Sequence, residues 1–180
     1  LRSIWFGIVA TLICLVIAFP LAYFISQKTE KVQRTMVMLV MLPMWMIFLI
    51  RTYSWMALLQ DTGIINSFLA KIGIDPIHMI NTQGAVILGM VYNFLPFMIL
   101  QINTALCKMD HSLLEASADL GATPMQTFKR VTFPLSLPGV INGITLVFLP
   151  AISSFFIPKL LGGGQYFLIG NLIENQFITV

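Results

Sequence analysis

The chain of 180 residues is 58% hydrophobic and 9% charged, with a net charge of +3 and a mean hydropathy of +0.90. A soluble domain carries roughly 25% charged residues, so this chain cannot clothe a water-facing surface and must meet lipid over much of its area. Its bases cluster in short loops rather than in a patch with interleaved aromatics, which excludes nucleic acid, and Cys14 and Cys107 lie inside apolar runs, where packing is expected rather than a disulfide or metal site.

A spanning helix needs about 20 mostly apolar residues, and four segments qualify. The first is Ile4 to Ile25, too long and too plainly continued for a cleavable signal. The second runs from Thr35 to about Leu59 and is interrupted by Arg51. The third is Gly84 to Cys107 and the fourth Pro138 to Pro158. Each carries a proline (Pro20, Pro43, Pro96, Pro150), which bundled membrane helices tolerate because neighbours satisfy the freed backbone groups. The expected fold is therefore all-α, a polytopic membrane bundle forming a single domain over residues 1–180. The chain starts at Leu1 rather than Met and ends in an apolar stretch, so it is expected to be an internal piece of a longer protein.

Orientation follows from the loops. Lys28, Lys31 and Arg34 crowd the first, and Lys108, Lys129 and Arg130 occupy the third; Arg2, Arg51, Lys71 and Lys159 are spread along the other side. The positive-inside rule makes the first and third loops cytoplasmic. The second loop, Arg51 to Gln83, contains Gly63, Asn66, Gly73, Asp75 and Pro76 and a short apolar helix around Ile64 to Ile72. It is expected outside, as is the tail from Leu160 to Val180, which begins with Gly162-Gly163-Gly164.

The third loop is unusually well punctuated. Ser112 and Glu115 have the spacing of a capping box. Gly121 follows Leu120 where a helix end wants a left-handed residue. Thr123, Pro124 and Gln126 repeat the start signal, with proline at the first helical position. Two short helices are expected, Leu113 to Leu120 and Pro124 to Thr132, with Pro134 and Pro138 ending the second and launching the fourth span. On the first helix Leu113, Ala116 or Ser117, and Leu120 share a face, while Glu115, Ala118 and Asp119 share another. Helix physics leaves two roles open: an interfacial loop helix whose acid merely caps it, or a slim docking helix laid into a groove of a partner.

Glu115-Ala116-Ser117, then Gly121, then Val131 and Pro134, resembles the EAA loop of ABC-importer permeases, Glu-Ala-Ala-x3-Gly-x9-Ile-x-Leu-Pro. Ser117 replaces the second Ala, Val131 the Ile and Phe133 the Leu. Pro43 to Trp55, Thr62 to Asn66, Pro96-Phe97, Leu114 to Gly121 and Leu168 to Asn171 extend the likeness along the chain to the spermidine/putrescine (PotB-like) permease family. The resemblance implies a multi-pass cell-membrane permease subunit, of which this chain would lack the first and last spans. It implies a homologous second permease, a cytoplasmic ABC ATPase dimer and an extracellular or periplasmic binding protein as partners, besides membrane lipids. ATP hydrolysis would belong to the separate ATPase, leaving this chain with no cofactor, metal or catalytic residue. Glu115, Ala116, Ser117, Leu120, Gly121 and Pro134 would couple to the ATPase.

A polyamine path should offer aromatic faces and carbonyls to a polycation, making Trp45, Tyr53, Trp55, Tyr92 and Asn93 candidates. Boundary Trp and Tyr also serve as interface anchors; Tyr92-Asn93 lies mid-span. Arg51 would repel a cationic cargo and is expected to be structural, paired with Asp61 or with lipid headgroups. His78 and His111 are single, lack partners at metal-ligand spacing and are expected to be loop residues. No span contains the Asp, Glu or His relay of a proton-coupled transporter, and neither a filter repeat nor a polar catalytic cluster is present. A related permease for thiamine, iron, an opine or a phosphonate remains the nearest alternative.

Overall fold

In lipid every backbone polar group must be satisfied within the protein, which favours helices wherever the chain is apolar. The computed structural model describes residues 2–72, 75, 77–110, 112–164, 166 and 168–178. Of the residues named above, Leu1, Gly73, Pro76, His111 and Val180 lie outside the described residues. The chain forms α1 (Arg2–Ser26), α2 (Glu30–Met41), a 3-10 turn (Leu42–Trp45), α3 (Phe48–Leu59), α4 (Ile64–Lys71) and α5 (Gln83–Cys107). It continues as α6 (Ser112–Asp119), α7 (Pro124–Thr127), a π turn (Phe128–Thr132), α8 (Phe133–Ser153), α9 (Phe156–Leu161) and α10 (Ile169–Ile178). Among the described residues three helical runs are long and apolar enough to cross a membrane: α1, α5 and the continuous run Pro124–Ser153.

These three pack on one another and form the core. On α1 the buried stripe is Phe6, Ala10, Cys14, Ala18 and Ala22, one residue in every four, so a single narrow face of mostly small side chains meets the bundle. Cys14 Sγ donates to the Val91 carbonyl at 3.7 Å. The opposite side, with Trp5, Leu12, Val16 and Phe24, is exposed, as a lipid-facing surface should be. Cys107, expected to pack, is exposed at the end of α5.

The α5–α8 crossing is closer still. Gly139 and Gly143 stand one turn apart on α8. A methyl group at Gly139 would lie 2.7 Å from the Gln101 carbonyl, and one at Gly143 would lie 2.6 Å from Met98 Sδ. This is the small-xxx-small spacing that lets two backbones approach in a membrane.

The expected second span is not one helix. Its two halves, Glu30–Trp45 and Phe48–Lys71, meet at 87°. Pro43 has no N–H to donate to the carbonyl a turn earlier, and Met46 and Ile47 take extended backbone angles (ψ 144° and 128°) between the halves. Nor do Pro134 and Pro138 break the chain as expected. The Phe133 amide donates to the Phe128 carbonyl across a wider turn, and this lets Pro134 sit in the first turn of α8. The second helix of the loop is thus continuous with the span, which stops at Ser153 instead of Pro158; α9 follows as a separate helix.

Buried asparagines close the connections at the other end. Asn66 Nδ2 donates to the Ile77 carbonyl at 3.0 Å and to the Gln60 carbonyl at 3.4 Å, while its Oδ1 accepts from the Ile77 amide at 3.0 Å. Asn171 Oδ1 accepts from the Leu168 amide and its Nδ2 donates to the Phe155 carbonyl, both at 3.2 Å.

Candidate functional site

The loop between α5 and α8 is an elbow built from local signals. Its start lies earlier than Ser112: Asp110 Oδ1 accepts from the Ser112 amide at 3.0 Å, and Ser112 is already helical. The expected Ser112–Glu115 box is therefore replaced by a cap at Asp110. At the far end of α6, Ala122 N donates to Ser117 O at 3.1 Å and Gly121 N to Ala118 O at 2.9 Å. Gly121 has φ +74°. Together these bonds form a Schellman closure, which satisfies the last carbonyls of α6. The next helix starts at once: Thr123 Oγ1 accepts from Gln126 N at 3.4 Å and Gln126 Oε1 accepts from Thr123 N at 2.9 Å, with Pro124 at the first helical position.

A further bond fixes the angle between the two arms, since Ser117 Oγ and Thr127 Oγ1 are 2.7 Å apart. Sequence reasoning missed it, because the residue that departs from the EAA pattern supplies it. The elbow is also bolted to the bundle. Phe128 meets Phe19 at 5.7 Å and Tyr23 at 5.5 Å, both edge-on, and Phe133 at 6.4 Å. Phe19 and Tyr23 belong to α1, so the elbow is tied to α1 by packing and to α8 by chain continuity.

What the elbow leaves unused is its outer surface. Leu120 is 88% exposed, and Leu113 and Met125 are exposed as well. Leu113, Ala116, Ser117, Leu120, Gln126 and Arg130 line a shallow concavity of about 380 Å³. Glu115 is exposed beside it. Ala116 and Gly121 add little bulk, and Pro134 lies beyond the elbow in α8.

The aromatic candidates do not form one group. Trp45 is 84% exposed on the 3-10 turn, and Tyr53 is exposed on α3. Trp55 and Tyr92 meet edge-on at 5.1 Å. Asn93 is buried on α5, where its Nδ2 donates to the Gly89 carbonyl at 2.8 Å and its Oδ1 has no partner. Arg51 is buried against Tyr92 and Phe48 and donates from Nη1 to the Pro43 carbonyl at 2.9 Å. It makes no ion pair with Asp61, one of its two expected partners. Asp61 instead lies 2.9 Å from Nδ1 of His78, a loop residue.

Spanning helices around a small-residue core, one broken span and a capped polar elbow define a polytopic helical membrane protein of the transport-permease class. The chain belongs to the family of binding-protein-dependent transport system inner membrane components, whose family model matches residues 3–179. It is 41% identical over its full length to the spermidine/putrescine transport system permease protein PotB of Escherichia coli strain K12, covering 66% of that protein. It is 45% identical over 94% of its length to the PotB of Haemophilus influenzae, covering 60% of it. Similarity extends to the inner membrane ABC transporter permease protein YdcU of Escherichia coli, at 35% identity over 98% of this chain and 60% of the relative. The chain thus spans less than two thirds of the length of these relatives.

Proposed function

We propose that the chain is a membrane-spanning part of a permease subunit of an ATP-driven importer, and that it passes polyamines such as spermidine and putrescine across the cell membrane. The high Lys and Arg density of the first and third loops supports a cytoplasmic position for the elbow. There it would seat in a cleft of an ABC ATPase dimer. A second, homologous permease would complete the pathway, and an external binding protein would deliver the cargo.

One observation carries this reading: an elbow locked at both caps, across its arms and against α1 still presents Leu113, Leu120 and Met125 to the outside. A loop with no partner gains nothing from rigidity combined with exposed apolar anchors. A groove-binding helix needs both. Closure of the ATPase would move the cleft, with Glu115, Ala116, Ser117 and Leu120 on the docked arm and Gly121 at the joint. The motion would pass through Phe128 to α1 and through the π turn and Pro134 to α8. Alternating access requires a stiff coupling of this kind, because a pliant loop would absorb the displacement.

The names of the relatives support polyamines over thiamine, iron, an opine or a phosphonate. Among the path candidates Trp55 and Tyr92 are supported by their contact, and Asn93 by its unpaired buried oxygen; Trp45 and Tyr53 suit interface anchors better. Uptake of labelled spermidine and putrescine by cells with and without the gene tests the cargo. Gene-dependent accumulation is expected. Equal uptake in both, with gene-dependent uptake of another of these solutes, would overturn the polyamine reading.

A further inference from the structure

Among the described residues, Arg51 is the charged side chain that is buried, at 6% exposure, and no acid lies within ion-pair distance of it. Uncharged groups surround its guanidinium instead. Nη1 donates to the Pro43 carbonyl at 2.9 Å, and Nε is buried without a partner. Cζ lies 5.8 Å from the centroid of the Tyr92 ring and 5.9 Å from that of Phe48. Trp55 closes against Tyr92. Pro96, a turn further along α5, has no N–H to give to the Tyr92 carbonyl.

A buried cation without a counter-ion is costly. Holding a bend does not require one, since Asn66 and Asn171 close neighbouring loops with neutral amides. What an arginine adds is positive charge over aromatic faces and beside a carbonyl, the surroundings that attract an ammonium group once water is removed. The bond to Pro43 also crosses the break at Met46–Ile47, tying the first turn of α3 to the far side of the 87° bend.

We infer that Arg51 is a resident cation in a seat made by the Pro43 carbonyl, Phe48, Tyr92 and Trp55, that an amine cargo takes the same seat, and that displacing Arg51 unlatches the bend. The chemistry of the cargo rests on the polyamine reading above. Two cations cannot share one desolvated seat, so entry of a cargo ammonium and departure of the guanidinium are a single event. The bond that keeps the two half-helices bent is lost in that event.

The test uses the full transporter with 5-fluorotryptophan incorporated, following the fluorine resonance of Trp55, assigned by its loss in Trp55→Phe. Spermidine and tetramethylammonium are titrated separately. Arg51→Gln is expected to lower the half-saturating concentration of each by about threefold or more, at least the size of one solvent-exposed cation–π contact. Arg51→Lys, which keeps the charge, is expected to stay within about twofold of the parent. Tyr92→Leu is expected to abolish the response and keeps the test open if the glutamine variant does not fold. An unchanged or raised midpoint in Arg51→Gln, a lysine variant that behaves like the glutamine one, or a response that survives Tyr92→Leu would overturn the inference. Uptake of labelled spermidine separates the two claims. An Arg51-dependent shift with tetramethylammonium but no spermidine uptake sustains the seat and removes the polyamine reading; uptake without the shift removes the seat alone.

Discussion

Asn66 closes the loop after α3 because its amide replaces the partners that irregular backbone lacks. It serves the Gln60 carbonyl six residues back and the Ile77 carbonyl and amide eleven residues ahead. Asn66→Leu keeps the volume and removes all three bonds, and leaving such buried groups unpaired costs about 1–3 kcal/mol. The expected outcome is a lower thermal midpoint in detergent with faster proteolysis between residues 60 and 82; an unchanged midpoint would show that the loop closes by other means. Sequence reasoning placed Asn66 in an irregular exterior loop but could not see this role, since its partner Ile77 lies beyond a whole helix. The same limit explains Arg51. Asp61 is the nearest acid along the chain, but ten residues of helix would carry it about 15 Å along the axis. The guanidinium reaches backwards to Pro43, and Asp61 is met by His78 from the far side of α4.

The long spans were legible as elements because hydropathy alone marks them; α5 begins and ends within one residue of the expected 84–107. Their close approach at Gly139 and Gly143 was not, since a glycine pair acquires meaning only opposite Gln101 and Met98. Gly143→Leu should force α5 and α8 apart and destabilise the bundle by about 1–3 kcal/mol, seen as a reduced thermal midpoint; an unaltered midpoint would contradict the tight crossing. The elbow was read more fully than anything else, because caps are local: Gly121 is left-handed and the Thr123–Gln126 box is formed on both sides. Two features escaped. The cap at Asp110 competes with an equally good signal at Ser112, and a π turn preserves helical continuity through prolines that otherwise read as stops. Ser117→Ala, which restores the residue of the EAA pattern, removes the tie to Thr127. The expected loss is about 0.5–1.5 kcal/mol, with transport retained, because the two caps and the Phe128 anchor remain. Abolished transport with an unchanged thermal midpoint would instead assign the hydroxyl a direct contact with a partner.

At the scale of the whole molecule, the chain divides its polar groups between two ends of an apolar bundle. One end carries asparagine-closed loops and the other the basic loops and the rigid elbow, while Arg51 is held between them against Tyr92. Exposed apolar side chains on α1 and α2 suit lipid or a neighbouring subunit, whereas those on the elbow extend from a polar, charged segment, where the proposed cover is a protein groove. The central claim is that this elbow transmits force, and Gly121 is where to test it. At φ +74° proline cannot be accommodated, and its missing N–H also removes the bond to Ala118. The α1, α5 and α8 core does not involve this position, so Gly121→Pro is expected to insert normally. Measured side by side in vesicles holding the assembled transporter, ATP hydrolysis should persist in the variant while spermidine uptake falls to background. Uptake at the rate of the unaltered protein, with hydrolysis equally unaffected, would contradict the account.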